Sequence, residues 1–239
     1  MDGLVVVNKP LGITSTQALY AVRTATRQRK SGHAGTLDPS ADGVLILCLG
    51  KATKLVESLM GLPKVYRATA RLDVTNACYD VERPWIDVPV ETPPTRERVA
   101  QVLAEFQGEI EQVPPAVSAL KVGGLPSYLM ERRGEAVEHK ARPITIYWTK
   151  LLRYEWPVLE FEVACGRGTY IRALIRDIGE RLGTGGGLIG LRRTAIGRFT
   201  LELARTPEEI RTLADVSACV IGIDEARGMI ADRTPPNAR

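Results

Sequence analysis

The segment GHAGTLDPSADGVLILCLG, residues 32–50, places a carboxylate in a glycine-rich loop just before an apolar run. That carboxylate, Asp38, is followed by Pro39 and is the first acidic residue after Asp2. Residues 3–37 carry five basic side chains and no acid. The apolar run VLILCLG predicts a buried strand. A single carboxylate in so basic a region is a candidate functional group.

Outward from this loop, strands and helices alternate without a regular βαβ repeat. Strand patterns cover residues 4–8, 44–50, 65–74, 144–156 and 158–166. Helical patterns cover a segment opened by Thr14 and Gln17 at capping-box spacing, one from Thr95 to near Gly108, one at about 127–133, and residues 169–182. The last residues predict a helix and one or two strands. We predict an α+β fold with a mixed, largely antiparallel central sheet flanked by helices.

Composition excludes several classes of protein. The chain has 239 residues and a net charge of +4, and seven Arg stand against two acids in residues 163–200. A nucleic-acid partner fits this charge but is not required by it. Four cysteines without a CxxC pair and two distant histidines predict no metal site. No GxGxxG follows a predicted strand and no GxxxxGK(S/T) occurs, and we expect no cofactor. No signal peptide or membrane span is predicted, so we expect a cytoplasmic protein.

Six segments together resemble the TruB family of tRNA pseudouridine synthases. They are LVVVNKPLGITS (4–15), GHAGTLDP (32–39), KVYRA (64–68), PPAVSALKVGG (114–124), CGRGTYIRALIRDIGERLG (165–183) and LRRTAIGRF (191–199). They occur in the family's order, and their combination is far more specific than any one of them. The chain departs from the family at Asp42, where Thr is usual, and in NACYDVERP (76–84), where TDTxDxxG is usual.

The resemblance implies a pseudouridine-synthase-like fold and a catalytic role for three residues. Asp38 would act at C1′ of a flipped uridine, as attacking group or as stabiliser of positive charge. Arg172 would pair with Asp38. Tyr66 would stack on the uracil and could take part in proton transfer. Taken singly, each residue also fits a structural role: a turn Asp before Pro, a surface helix Arg, and a half-buried strand Tyr.

The resemblance also implies four substrate-binding residues. His33 would contact the T-loop RNA, Tyr170 would pack beneath the site, Leu191 would line the uracil pocket, and Lys64 would contact the RNA. A loop His bonded to backbone, or a core Tyr or Leu, accounts equally well for the first three. Phosphate contacts are predicted for the basic residues Arg27, Arg29, Lys30, Lys64, Arg167, Arg192 and Arg193.

The predicted reaction is isomerisation of uridine to pseudouridine in the T-loop of tRNA, position 55. The predicted partner is the T-arm stem-loop, bound by a monomer without an obligatory protein partner. We expect residues 1–204 to form the catalytic domain and residues 205–239 a tail too short for a PUA domain. Three alternatives remain open: a synthase acting on another RNA, an RNA-binding or RNA-folding module with secondary catalysis, and a hydrolase that uses Asp38 with Asp42 and would release free uracil from RNA.

Overall fold

The computed structural model describes residues 1–116, 121–122, 125–126 and 139–236. Contacts within the chain group these residues into two compact units. The first unit consists of residues 1–67, 164–167 and 191–239, and the second of residues 68–163 and 168–190. The segment from residue 205 onward therefore belongs to the first unit. The predicted domain boundary at residue 204 stays a prediction.

The described strands are β1 Gly3–Lys9, β2 Ser31–His33, β3 Ala41–Leu49, β4 Lys64–Arg71, β5 Val74–Thr75, β6 Ile86–Asp87, β7 Gly108–Gln112, β8 Lys121–Val122, β9 Leu125–Pro126, β10 Arg142–Glu155, β11 Val158–Cys165, β12 Gly187–Ile196 and β13 Phe199–Thr200. Nine of them form one sheet, in the order β1-β3-β12-β4-β11-β10-β7, with β2 beside β3 and β13 beside β12. β1 pairs with β3 and β7 with β10 in antiparallel fashion, whereas β12 runs parallel to β3. The predicted mixed, largely antiparallel sheet is confirmed.

The described α-helices are α1 Ser15–Thr26, α2 Val56–Met60, α3 Arg96–Glu105, α4 Ile171–Leu182, α5 Pro207–Thr212 and α6 Ile223–Ala231. Short 3₁₀ segments cover Gly50–Leu55, Leu201–Leu203 and Val216–Cys219. Thr14 caps α1 through the predicted capping box with Gln17, and Thr95 caps α3. These local signals predicted the starts of both helices correctly because a cap bonds only to residues next to it.

In the first unit, strands β1 and β3 are buried on both faces. On one face Leu4 and Val6 pack with Ile46 and with α6, and on the other Val5 and Val7 pack with α1. Full burial of each such aliphatic side chain stabilises the fold by about 1.5–3 kcal/mol. The unit that carries Asp38 therefore has a core on each side of its sheet.

Helices α3 and α4 pack together in the second unit. The apolar stripe of α4 faces the core, with Ile171, Leu174, Ile175 and Ile178 buried. Near the other end of α4, Arg181 bonds to Glu105 of α3 at 3.2 Å. The core fixes the rotation of α4 about its axis, and this sets the direction of Arg172 in its first turn.

The helix predicted from Thr95 to near Gly108 has Thr95 as its N-cap and ends at Glu105, three residues before Gly108 turns the chain at φ +103° and opens β7. One prediction of secondary structure is wrong. The strands predicted near the C-terminus are absent from residues 205–236, which form α5, a 3₁₀ turn and α6 and contribute only isolated bridges to β1. The helix predicted at about 127–133 lies outside the described residues.

Candidate active site

Asp38 lies in the loop between β2 and β3, and the buried side chain of Ser15 holds the backbone beside it. The Ser15 hydroxyl accepts a hydrogen bond from the Leu37 N–H at 2.8 Å and donates one to the Leu37 carbonyl at 3.0 Å. The Asp38 carbonyl accepts a bond from the Ala41 N–H at 3.1 Å. Asp38 itself is partly exposed. The fold therefore fixes the backbone and leaves the residue accessible.

Arg193 supports the same loop from within the core. Only 1% of Arg193 is exposed, and its guanidinium donates to the carbonyls of Val44 at 2.7 Å and Gly35 at 3.2 Å. Gly43, at φ +104°, lies so close to this residue that a Cβ would come within 2.2 Å of the Arg193 carbonyl oxygen. Only glycine fits there. The glycine-rich loop thus surrounds the buried guanidinium of Arg193.

Tyr66 of β4 lies within electrostatic range of Asp38 and Arg193. Burial raises the pKa of the Tyr66 phenol; the charge of Arg193 and a hydrogen bond from it act in the opposite direction. The phenol therefore stays protonated around neutral pH. A neutral ring beside a carboxylate can stack on a base and can donate a hydrogen bond.

Lys9 is a second buried cation in the first unit. Its amine donates to the carbonyls of Pro10 at 2.9 Å and Ile13 at 2.8 Å, and no part of the residue is exposed. Burial lowers the pKa of the Lys9 amine, whereas the charges of Asp42 and Asp38 raise it. This amine fixes the KPLG turn and contributes a positive potential at the Asp38 loop.

Three predicted substrate-binding residues also belong to the first unit. His33 ends β2 and is partly exposed, and burial together with the charge of Arg193 lowers the pKa of its imidazole. Leu191 is partly exposed at its register position opposite Ala41. Lys64 is buried, and its amine donates to the carbonyls of Met60 and Leu62. A contact from Lys64 to RNA would require the amine to exchange these acceptors, so that role stays a prediction.

Arg172 lies in the first turn of α4, in the second unit. Its guanidinium forms an ion pair with Asp80 at 3.1 Å, and the two side chains are 10% and 2% exposed. The same guanidinium donates to the Cys78 carbonyl at 3.5 Å. A buried pair of this kind is costly to break from one side, because the remaining charge is left without compensation.

The loop that carries Asp80 is organised by the buried side chain of Asn76. The Asn76 amide nitrogen donates to the Asp80 carbonyl at 2.7 Å, and its oxygen accepts from the Cys78 N–H at 3.0 Å. The Asp80 carboxylate accepts a further bond from the Glu82 N–H at 2.9 Å. Asn76 therefore shapes the segment that departs from the family pattern, and the segment still delivers a carboxylate to Arg172.

Tyr170 precedes α4 and is partly exposed. Its backbone is the N-cap of the helix, although its side chain makes no capping bond. The Arg142 guanidinium lies 5.1 Å from the centroid of the Tyr170 ring, a distance typical of a cation–π contact. This contact leaves the predicted role of Tyr170 in packing beneath a bound base untested.

The basic residues predicted to contact phosphate differ in whether their side chains are exposed and free of an acidic partner. Arg193 is buried and bonded to carbonyls, so the prediction that it contacts phosphate is wrong. Arg192 is exposed but pairs with Asp42 at 2.8 Å, and Arg167 pairs with Glu57 at 2.8 Å. Arg27, Arg29 and Lys30 are exposed at the end of α1. The charge that Asp42 adds to the loop is therefore compensated by Arg192.

The seven predicted site residues divide between the two units. Asp38, Tyr66, His33, Lys64 and Leu191 belong to the first unit, and Arg172 and Tyr170 belong to the second. In the first unit Tyr66 lies within electrostatic range of Asp38, and in the second unit Arg172 has a carboxylate partner in Asp80. The predicted pairing of Arg172 with Asp38 stays a prediction.

Within residues 1–116 and 139–236, no three His, Cys, Asp or Glu side chains are placed to hold a metal ion. No α-helix in the part of the chain that the structure describes has the length and apolar character needed to cross a membrane.

Two family models match the chain. The model described as TruB family pseudouridylate synthase (N terminal domain) matches residues 23–171, and the model described as tRNA pseudouridylate synthase B C-terminal domain matches residues 172–227. The chain belongs to the TruB family. The resemblance carried by the six sequence segments is thereby confirmed.

Three curated relatives of this TruB-family chain are 42–46% identical to it over the aligned residues. A tRNA pseudouridine synthase B from Cupriavidus metallidurans is 46% identical over 90% of this chain and 69% of its own length. One from Parabacteroides distasonis is 42% identical over 92% of this chain and 95% of its own length. One from Mycobacterium bovis is 42% identical over 94% of this chain and 76% of its own length.

Solved structures confirm the fold of this TruB-family chain. A structure titled Crystal Structure of a Cbf5-Nop10-Gar1 Complex contains a chain that is 33% identical, with a TM-score of 0.68, over 87% of this chain and 53% of that one. A chain in an H/ACA RNP bound to a substrate RNA containing 2′-deoxyuridine is 29% identical, with a TM-score of 0.66, over 87% of this chain and 52% of that one. This chain spans about half the length of these structural relatives.

Four residues that contact candidate site residues or their loops were given no such role by the sequence analysis: Ser15, Asp80, Gln112 and Arg193. Ser15 and Arg193 lie inside motifs that were recognised, but the motifs did not reveal what their side chains contact. Asp80 lies in the segment that matches the family poorly. Gln112 lies two residues before the PP of PPAVSALKVGG and has no pattern of its own.

Proposed function

We propose that this chain isomerises uridine to pseudouridine in tRNA, at the T-loop uridine of position 55. The reaction breaks the N1–C1′ bond, turns the uracil and joins C5 to C1′; the proton lost from C5 is balanced by the proton gained at N1. No oxidant or reductant is consumed. Membership of the TruB family and the names of the curated relatives support this assignment.

The observation that carries the proposal is the setting of Asp38. Its backbone is fixed by Ser15, its loop encloses the buried cation Arg193, and the residue is partly exposed. A carboxylate held in this way can attack C1′ or stabilise the positive charge that develops there. Fixing it before substrate binds avoids the cost of ordering it during the reaction.

Tyr66 and Arg172 complete the proposed chemistry. Tyr66 lies near Asp38 as a neutral phenol, suited to stack on an extruded uracil and to donate a hydrogen bond to it. Arg172 supplies a fixed guanidinium, and we propose that it pairs with Asp38 during the reaction. Extruding the base from its stack costs a few kcal/mol, and a folded RNA loop that presents the base lowers this cost.

Exposed cations at the end of α1 are the proposed contacts to phosphate. Arg27, Arg29 and Lys30 are exposed, and residues 3–37 contain no acid that could neutralise them. Binding that depends on such contacts weakens as the salt concentration rises, by a slope of about 0.7–0.9 for each neutralised phosphate. We further propose that the protein acts as a monomer, and in the cytoplasm.

The test is modification of an unmodified tRNA transcript and of its isolated T-arm stem-loop, without added metal. Pseudouridine is mapped by carbodiimide-stop primer extension, and free uracil is measured in the same reactions. We expect one modified uridine, in the T-loop, and no free uracil. Asp38→Asn is expected to abolish modification while its affinity for the T-arm stays within about threefold of wild type.

Asp42→Asn is the matched control, since it removes a second carboxylate four positions further on, at the start of β3, and should leave the reaction intact. Modification at another position, or only in another RNA, would favour a synthase with a different substrate. Tight binding of tRNA by wild-type protein without modification would overturn the proposal and favour an RNA-folding module. Release of free uracil would indicate a hydrolase.

A further inference from the structure

Gln112 at the end of β7 is fully buried, and its amide bonds to both backbone groups of Tyr170. The Gln112 oxygen accepts from the Tyr170 N–H at 2.9 Å, and its nitrogen donates to the Tyr170 carbonyl at 3.1 Å. The two residues are 58 positions apart in the chain. A carboxamide carries a donor and an acceptor side by side, so it can pair with a residue's backbone as a neighbouring strand would.

This bond pair lies where the chain enters α4. The first N–H groups of a helix have no partner within the helix, and the Tyr170 side chain makes no capping bond. Gln112 satisfies the Tyr170 N–H from another element. The Tyr170 carbonyl also accepts the first helical bond, from the Leu174 N–H at 3.0 Å. Gln112 therefore fixes the residue from which the first turn of α4 is built, and that turn contains Arg172.

Arg142 of β10 holds the residues just before this point. In the antiparallel pairing of β7 and β10, Arg142 lies directly opposite Gln112. Its guanidinium donates to the Gly168 carbonyl at 2.5 Å and covers the Tyr170 ring. Gly168 has a φ of +89°, a conformation that favours glycine. The side chains of Gln112 and Arg142, which are register partners in the β7–β10 pair, thus hold the turn that leads into α4.

The guanidinium of Arg172 is held separately, by Asp80 at 3.1 Å and the Cys78 carbonyl at 3.5 Å. Its position therefore depends on two anchors: Gln112 through the backbone and Asp80 through the side chain. We propose that Gln112 is a positioning residue that fixes Arg172 for the isomerisation, and this inference rests on the proposed function. Gln112 does not touch substrate in this role; it acts through the backbone of Tyr170.

The simpler reading is that Gln112 only stabilises the fold, and the two readings predict different losses. A stabilising residue changes the melting temperature and leaves the reaction rate of the folded protein unaltered. A positioning residue lowers the rate of the chemical step at saturating RNA, because a displacement of about 1 Å at a reacting group can cost about 100-fold in rate. Affinity for the T-arm changes little in this case.

The test compares Gln112→Met with Val102→Ala. The first keeps the length of the side chain and removes both hydrogen bonds, and the second opens a cavity at a buried position of α3 in the same unit. Melting temperature, T-arm Kd and the single-turnover rate at saturating T-arm are measured for both. We expect Gln112→Met to lower the rate at least 10-fold with Kd within threefold of wild type, while Val102→Ala keeps the wild-type rate.

Gln112→Glu is the second variant, and it tests the same role through the pH dependence of the reaction rate. A deprotonated Glu can accept from the Tyr170 N–H but cannot donate to the Tyr170 carbonyl, whereas a protonated Glu can do both. The rate of Gln112→Glu relative to wild type should therefore rise as pH falls from 8 to 6. A purely stabilising residue would leave this ratio flat in the folded protein.

A wild-type rate in both Gln112 variants would overturn the inference while leaving the proposed function intact. If wild-type protein does not modify tRNA, the proposed function fails. The positioning role is then tested by NMR, through the chemical shift of the Arg172 Nε–H and the hydrogen-exchange rates of the backbone amides of Tyr170 and the first turn of α4. Gln112→Met should shift that resonance and speed exchange there. Unchanged spectra and exchange would overturn the inference.

Discussion

The carboxylate of Asp80 lies 3.1 Å from the guanidinium of Arg172, and both side chains are almost completely buried. Desolvating two charges is expensive, and a buried pair offsets this cost through the attraction between the two charges and through further hydrogen bonds to each partner. The Glu82 N–H donates to Asp80, and Arg172 donates to the Cys78 carbonyl. Arg172 is consequently a fixed cation rather than a mobile surface side chain.

Asp80→Ala should therefore be among the most destabilising single changes in the second unit. It leaves the Arg172 charge buried without a partner, and we expect a loss of about 3–5 kcal/mol in the free energy of unfolding. Urea unfolding, with equal slopes for wild type and variant, measures this loss. Asp80→Asn, which keeps an acceptor for the Glu82 N–H, should lose less. A loss below about 1 kcal/mol for Asp80→Ala would show that the pair is not buried in solution.

Lys64 should make stability depend on pH in the alkaline range. Burial, assisted by the charge of Arg193, lowers the pKa of its amine from the ordinary 10.5 to about 8. The unfolded chain therefore binds more protons than the folded protein between these values, so stability rises with pH across that window. The penalty is fully present below about pH 8 and absent above about pH 10.5.

Lys64→Met removes this dependence. The free energy of unfolding of wild type, relative to Lys64→Met, should increase from pH 8 to pH 10.5 by up to about 3 kcal/mol, at about 1.4 kcal/mol per pKa unit. Chemical unfolding at a series of pH values measures it. Lys51→Met is the control, since the Lys51 side chain is 81% exposed. A flat difference between wild type and Lys64→Met would contradict the prediction.

The sequence predicted those features of the fold that arise from neighbouring residues. The capping box of Thr14 and the apolar stripe of α4 are visible within a few positions, and both were predicted correctly. No strand was predicted at residues 108–112, because GEIEQ contains a single apolar side chain and the segment becomes β7 by pairing with the distant strand β10.

The supports of the candidate site could not be predicted because they join residues that are distant in the chain. The bond from Arg193 to the Val44 carbonyl spans 149 positions, and the bond from Arg172 to the Cys78 carbonyl spans 94. An arginine in a basic segment suggests a phosphate contact, and only the packing shows that Arg193 is buried. The motifs predicted the candidate reacting groups, whereas the side chains that hold those residues emerged only from the fold.

Asp42→Asn should strengthen RNA binding at low salt. The Asp42 carboxylate is bonded to Arg192 at 2.8 Å, and removing the charge frees an exposed guanidinium for a phosphate. We expect the T-arm Kd to fall about two- to fivefold at low salt and the slope of log K against log salt to steepen by about 0.7–0.9. Filter binding at several salt concentrations measures both quantities.

Glu57→Gln is the control for Asp42→Asn. It frees Arg167 from its ion pair with Glu57 at 2.8 Å and shows whether release of any exposed arginine strengthens RNA binding. An effect confined to Asp42→Asn would locate the RNA near Arg192. Equal slopes for wild type and Asp42→Asn would contradict the prediction.

Arg27→Gly should stabilise the fold and weaken RNA binding at the same time. Arg27 ends α1 in the left-handed conformation, with φ 50° and ψ 25°, where glycine is normally favoured. An L-residue there costs about 1–2 kcal/mol, and glycine loses part of that advantage through its freedom in the unfolded chain. We expect the free energy of unfolding to rise by about 0.5–1 kcal/mol, measured by urea unfolding.

The affinity for tRNA should fall in the same variant, because the exposed Arg27 guanidinium is a proposed phosphate contact, and the salt slope should decrease by about 0.7–0.9. Two controls separate the effects: Arg27→Lys keeps the charge and the strained backbone, and Arg27→Asn removes the charge at a residue type that tolerates this conformation. If charge is what matters, Arg27→Asn and Arg27→Gly lose affinity equally, and Arg27→Lys does not. Unchanged affinity in Arg27→Gly would mean that this end of α1 lies outside the RNA-binding surface.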